Sequence, residues 1–283
     1  VHIVESGGPY KQFRPLPENA LGLGLRPVHY HEIIREWPEV DYFEIIAENF
    51  LEPGTRARDY LRQISKRYPV VMHSLGLNLL GSDELREDYI DALARLADEL
   101  NAPFVSDHLC WTGYHGVHHH DLLPTPYVES LVDFAAERAC YVQSRLDRPF
   151  GLENLSSYVQ FRESTMSESD FYARVIREAG CWAMLDINNI YVSSQNHGFS
   201  AHDYIERIDF SRVLQVHLAG HTREPSGIIV DTHDQPIAAD VWALYAMAYR
   251  DYGAFPTLIE WDANIPSLAT LLQHLARAKE VRQ

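Results

Sequence analysis

Residues 150–188 read FGLENLSSYVQFRESTMSESDFYARVIREAGCWAMLDIN and hold a complete strand–helix–strand unit. The two ends, FGLENLS (150–156) and WAMLDIN (182–188), are short apolar runs of the kind that buried parallel strands make. Between them, Ser167 and Asp170 have the spacing of a capping box, and Gly180 is placed to end the helix before the second strand. Six further runs repeat the pattern: ALGLGLR (20–26), YFEIIAE (42–48), VVMHSLG (70–76), PFVSDHL (103–109), VLQVHLAG (213–220) and PTLIEWD (256–262). Helical stretches fill the gaps. Over 83–100, Leu85, Tyr89, Leu93, Leu96 and Leu100 form one apolar stripe. Thr125-Pro126 predicts an N-cap and a proline first turn for a helix reaching about 146, and AADVWALYAMAYRDYG closes on Gly253. Eight βα units predict an α/β chain folded as a single-domain (β/α)8 TIM barrel with right-handed crossovers. The expected division is an N-terminal extension at 1–19 and the barrel at 20–283. An open doubly wound sheet would need a glycine-rich phosphate turn, and GLGLRP (22–27) lacks both the third glycine and a helix directly behind it.

The composition narrows the function. Of 283 residues, 24 are Lys or Arg and 40 are Asp or Glu, a formal charge of −16. That balance argues against a nucleic-acid partner, because such binding rests on cations neutralising phosphates. No apolar run approaches the roughly 18–20 residues of a membrane span, and VHIVESGGPYKQFRPLPENA lacks the layout of a signal peptide. Cys110, Cys140 and Cys181 form no CxxC pair, so no disulfide framework or thiolate zinc site is expected, and a reducing cytoplasm is the simplest compartment. Histidine, with 15 copies, is the residue that stands out.

Barrel active sites lie at the C-terminal ends of the strands. Glu44, Glu48 and Asn49 fall at the second strand, His73 at the third, Asp107 and His108 at the fourth, and Glu153 and Asn154 at the fifth. The sixth carries Asp186, Asn188 and Asn189, the seventh His217 and then His221, and the eighth Glu260 and Asp262. The loop between the last two strands holds Asp231-Thr232-His233-Asp234. Ionisable groups inside apolar strands are costly unless paired or bound to metal. Histidine or carboxylate recurring at one end of at least six strands predicts a metal centre. Imidazole and carboxylate without thiolate suit iron, manganese or zinc, and so many donors exceed the needs of one ion. His118 and His119 read as a solvated loop, with His120 and Asp121 positioning that loop over the mouth. Trp111, Tyr114, Tyr191 and Trp261 either line a groove or pack beneath loops, and His2, His31, His202 and His274 read as surface residues. No G-x-S-x-G elbow is present.

The stretches GLGLRPVHYHEI, FEIIAENF, MHSLGLNL, VSDHLCW, HHDLLPTP, GLENLSSY, MLDINNIYVSS, QVHLAGH, DTHDQP and LIEWD, in that order across residues 22–262, resemble the multinuclear non-haem iron-dependent oxidases, the MbnB-like family of methanobactin biosynthesis. The resemblance implies a TIM barrel with two to three iron ions in mixed Fe2+/Fe3+ states and O2 as co-substrate. It also implies a ribosomally made precursor peptide as substrate, oxidised most often at cysteine and in some members at Asp or Asn, with a partner protein that binds the leader. Carried over by position, His73, His108 and Glu153 match ligands of one ion. Asp186 or Asn188, His217 and Glu260 match those of the next, and Asp231 and His233 those of a third. Asp107 and His221 are then acid–base candidates, and Trp111, Asn154 and Tyr191 are candidates for substrate contact. Competing readings are a divalent-metal sugar isomerase or epimerase of the xylose-isomerase-like barrel type, a trinuclear zinc phosphodiesterase, and a non-enzymatic metal- or peptide-binding module.

Overall fold

The computed structural model describes residues 16–283, with His120 by its backbone alone. The expected residues 1–15 of the N-terminal extension, His2 among them, and the expectation for the His120 side chain lie outside the described residues. Eight parallel strands close a barrel: Leu21–Gly24 (β1), Tyr42–Ile46 (β2), Val70–His73 (β3), Val105–His108 (β4), Phe150–Glu153 (β5), Trp182–Asp186 (β6), Val213–Leu218 (β7) and Thr257–Ile259 (β8). Each pairs with its neighbours in sequence, and β8 closes onto β1, with Leu21 opposite Thr257. Every strand lies within one of the eight runs read from the sequence. This is the (β/α)8 fold.

The unit at 150–188 shows how sequence sets the wrapping. The Ser167 hydroxyl accepts from Asp170 N–H at 3.1 Å and caps the helix Glu168–Ala179. Gly180 ends it with φ +63°, a conformation that a side chain would resist. From within that helix the Tyr172 hydroxyl reaches the carbonyls of Leu152 at 2.8 Å and Met184 at 3.1 Å, fastening the helix to both strands it connects. The main apolar core fills the shell between strands and helices. A smaller cluster of Leu16, Ala20, Tyr42, Val71, Phe104, Leu214 and Leu258 packs towards the beginnings of the strands. No helix among the described residues is long and apolar enough to cross a membrane.

Three local expectations are corrected. The helix expected over 83–100 is Glu87–Leu100, because Asp83 instead accepts the N–H groups of His115 and Gly116 at 3.0 and 2.9 Å. Thr125 is not an N-cap. The helix starts at Glu129, because Tyr127 is held extended by Ser164 Oγ on its N–H and Thr165 N–H on its carbonyl. The helix Ile187–His197 follows β6 directly and is capped by Asp186. His274 is partly buried, its ring facing Trp242 and Trp261 at 6.4 and 5.7 Å, so it belongs to the packing between helices. Trp261 is buried in the same cluster.

Ser167→Ala removes the cap that begins this helix. We expect a stability loss of about 1 kcal/mol, read as a lower urea midpoint with an unchanged slope. No shift would show that the tyrosine anchor alone fixes the helix start.

Candidate metal centre

The strand registers set the site. His108 lies opposite Glu153 across β4–β5, and Asp186 opposite His217 across β6–β7. His73 closes β3, and Glu260 follows β8 by one residue. His233 comes from the loop after β7 with φ +46°, a left-handed conformation that histidine tolerates better than most residues. The six strand-borne side chains are all buried.

Their donor atoms converge. His73 Nε2 and His108 Nε2 approach the same oxygen, Glu153 Oε2, at 3.3 and 3.1 Å. Glu153 Oε1 lies 3.9 Å from His217 Nδ1, which is 2.9 Å from Glu260 Oε2. Glu260 Oε2 is 3.4 Å from His233 Nδ1, and Asp262 Oδ2 is 3.0 Å from that nitrogen. His233 Nε2 sits 2.7 Å from Asp231 Oδ1 and 3.9 Å from Asp186 Oδ2. Three groups of potential ligands result: His73, His108 and Glu153; Glu153, Asp186, His217 and Glu260; and His233, Glu260 and Asp262. Glu153 belongs to the first two and Glu260 to the last two, which is how bridging carboxylates would be placed.

The donor set fits metal ions. Glu153 Oε2, Asp186 Oδ2, His217 Nδ1 and His233 Nε2 are buried without a hydrogen-bond partner among the described residues, although other donor atoms crowd them. Lone pairs facing lone pairs are costly in a buried site, and cations remove that cost. Nitrogen and oxygen donors without sulfur suit iron, manganese or zinc. A second layer orients the first, as metal sites require. Glu44, one layer down, is 3.1 Å from His217 Nε2, leaving Nδ1 to face the cluster. His73 Nδ1 meets Ser106 Oγ at 2.9 Å. Arg26 pairs with Asp262 and lies 3.9 Å from Glu260.

The charges show the same strain. Burial opposes charge on His108, yet the Glu153 carboxylate beside it raises the imidazolium to about 9. Burial likewise opposes charge on His217 and His233, and neighbouring carboxylates still hold both well above the usual histidine range. Burial, reinforced by His108 and His217, pushes His73 well below that range. Burial drives Asp186 well above the usual carboxylate range.

Other expected residues stand around this ring. Asn188 donates to Asp231 Oδ1 at 2.6 Å and meets His221 Nδ1 at 2.8 Å, so it reaches the third group through Asp231, while Asp186 faces the centre. His221 stacks on Tyr191 at 5.1 Å. Asp107 is fully buried and accepts from Ser74 Oγ at 2.7 Å, Leu77 N–H at 3.1 Å and His108 N–H at 2.7 Å; burial lifts its carboxyl to about 7. That arrangement braces the ends of β3 and β4 and does not face the cavity.

A cavity of about 800 Å³ is lined both by donors of the cluster, His73, His108, Glu153, His233 and Glu260, and by Glu48, Leu75, Arg86, Tyr89 and Leu122. Trp111, Asn154 and Tyr191 do not line it. The Trp111 indole donates to the Pro124 carbonyl at 2.9 Å, Asn154 bonds the Asp186 backbone on both sides, and the Tyr191 hydroxyl turns to Asp240 at 2.9 Å. Glu44 and Asp262 are visible in the sequence as strand-end carboxylates but receive no role there, and Arg26 and Tyr89 carry no site signal. Glu44 was the most legible of them, being a charge inside the apolar run YFEII.

The sequence profile of the RiPP precursor modification enzymes MbnB/TglH/ChrH matches residues 20–283. A UPF0276 protein of Caulobacter vibrioides is 44% identical over 266 residues, covering 93% of this chain and 95% of that relative. A UPF0276 protein of Rhizorhabdus wittichii is 42% identical over 268 residues, covering 94% and 96%. Among solved structures, a D-tagatose 3-epimerase-like protein aligns with a TM-score of 0.62 at 16% identity over 93% of this chain and 98% of the other. Endonuclease IV from Thermus thermophilus aligns with a TM-score of 0.58 at 17% identity over 92% and 99%. At those identities the structural likeness shows the barrel alone.

Two outcomes test the centre. Because His108 is protonated up to about pH 9 in the metal-free chain, metal binding must release protons, and apparent affinity should rise with pH until about that value. Titration calorimetry of Fe2+ under argon, in buffers of different ionisation enthalpy, reads the release; heats independent of buffer would refute it. Gly220 carries the His233 loop, and a Cβ there would lie 1.9 Å from the Gln235 carbonyl oxygen. Gly220→Ala should therefore lower bound metal by about one ion of two to three, and unchanged stoichiometry would dissociate the loop from the centre.

Proposed function

Since the chain belongs to the MbnB/TglH/ChrH family of RiPP precursor modification enzymes, it is a peptide-modifying enzyme, and we propose that it is an O2-dependent oxidase working with two to three iron ions. The observation that carries this reading is the run of three buried donor groups joined by Glu153 and Glu260. His73, His108 and Glu153 would hold one ion. Glu153, Asp186, His217 and Glu260 would hold a second, and His233 with Glu260, Asp231 or Asp262 a third. When bound, iron supplies the electrons and open coordination positions for reducing O2 and oxidising a C–H bond of the peptide.

The chain's own residues supply orientation and shelter. Glu44 and Ser106 fix the two imidazoles from beneath, and Asn189 donates to Glu153 Oε1 at 3.4 Å. Of nine large apolar side chains exposed among the described residues, all but Tyr141 lie in the connections that follow barrel strands. An apolar rim round a polar floor suits a peptide that lays side chains against the mouth and sends one residue inward. Cysteine is the residue we expect to be oxidised, within the reducing cytoplasm where free thiols persist, and a separate leader-binding protein is the expected partner.

Protein purified under argon without chelator should hold about two to three iron atoms per chain. The precursor peptide encoded nearest this gene should change mass only with both iron and O2 present. Glu153→Gln should cut that turnover more than about 100-fold, beyond the loss typical of an outer partner. Full activity with zinc or manganese, or without O2, would sink the oxidase reading.

A further inference from the structure

One stretch of the cavity wall, formed by Glu48, Leu75, Arg86 and Tyr89, has its own polar construction. Glu48 Oε1 accepts two hydrogen bonds, one from the Tyr89 hydroxyl and one from Leu75 N–H at 2.7 Å. Its other oxygen, Oε2, is buried with no hydrogen-bond partner among the described residues, although Glu48 lines the cavity. A carboxylate pinned by one oxygen and unsatisfied at the other is an acceptor held ready for a donor from outside the chain.

A donor stands beside it. The Arg86 guanidinium lies 5.6 Å from the centroid of the Tyr89 ring and also lines the cavity. Its ion pair, with Asp88 at 3.0 Å, is between two exposed side chains, and exposed pairs of that kind hold a guanidinium only loosely. Tyr89 thus carries an acceptor on its hydroxyl and a donor on its face. An acceptor and a donor on one wall complement the N–H and C=O that a peptide backbone presents. The apolar side chains of Leu75 and Leu122, each over a third exposed, flank the same wall.

We propose that Glu48 and Arg86, both anchored on Tyr89, form a main-chain clamp that holds the substrate peptide in the cavity that the metal donors also line. The clamp rests on the peptide-substrate reading. It explains how sequences that vary around one oxidised residue can be held alike, because a main-chain N–H and C=O recur at every position. Glu48 acts by positioning; it supplies no electrons and takes no proton from the reacting carbon.

The test is binding of a fluorescein-labelled synthetic copy of the precursor peptide encoded nearest this gene. It is read by anisotropy under argon with iron-loaded protein. Glu48→Gln turns the free acceptor into a donor and should weaken binding about tenfold, equivalent to about 1.4 kcal/mol. Arg86→Gln, an exposed change that spares the fold, should weaken it about threefold to tenfold. Iron content and absorption spectrum should match the wild type in both, and in turnover the loss should fall on KM with kcat held.

Copies of the peptide N-methylated at single residues should include one that binds the wild type weakly and is indifferent to Glu48→Gln. If replacing Lys or Arg of the peptide has that effect and N-methylation does not, a side-chain cation is the donor and the main-chain clamp is overturned. Equal binding by wild type, Glu48→Gln and Arg86→Gln overturns the clamp and leaves the peptide reading standing. A peptide that does not bind the wild type overturns the peptide reading, and the clamp with it.

Discussion

Glu153 Oε2 sits within 3.3 Å of two histidine nitrogens and has no hydrogen-bond partner among the described residues. Much of the mouth is organised around that contact. A carboxylate at the end of β5 cannot be sealed between imidazoles by packing alone, since burial disfavours every charged form present. The arrangement becomes favourable when cations take up the facing lone pairs. The short strands, the ordered register and the polar layer beneath all keep those lone pairs pointed at common centres. The barrel supplies rigidity, and the cluster supplies the reason for needing it.

The fold was legible because strand parity and strand length are local properties. FGLENLS and WAMLDIN gave both their boundaries and their neighbour relation through one capped helix. The convergence of the candidate donors was legible for the same reason: residues at the ends of parallel strands come together whatever the helices do. What local pattern could not show was which carboxylates stand between two donor groups. Asp262 reads as a polar residue past a strand, and only the pairing of β8 with β7 and with β1 brings it to His233 and to Arg26. Thr125-Pro126 had the chemistry of a helix start, but the loop at 164–165 claims the backbone of Tyr127 first. Trp111, Asn154 and Tyr191 show the converse. Each lies beside the mouth in sequence, yet each spends its polar group on protein and turns from the cavity.

Charge distribution separates two layers of the site. The −16 counts every carboxylate of the chain, buried or exposed, whereas the buried carboxylates of the cluster make a local demand. Arg26 is the guanidinium that pairs with that cluster: among the described residues its ion pairs are with Glu260 and Asp262, and its Nε donates to the Trp261 carbonyl at 3.0 Å. The rest of the demand falls on imidazoles, whose protons are the ones a metal must displace.

The ligands also differ in what carries them. His73, His108, Glu153, Asp186 and His217 are strand residues, but His233 and Asp231 ride on the loop between β7 and the helix Ala239–Tyr252. That loop is tied to the one after β5, because the Tyr158 hydroxyl accepts Asp231 N–H at 2.9 Å. The donors therefore fall into two sets: one held by the barrel wall, and one whose placement rests on a tether between two loops.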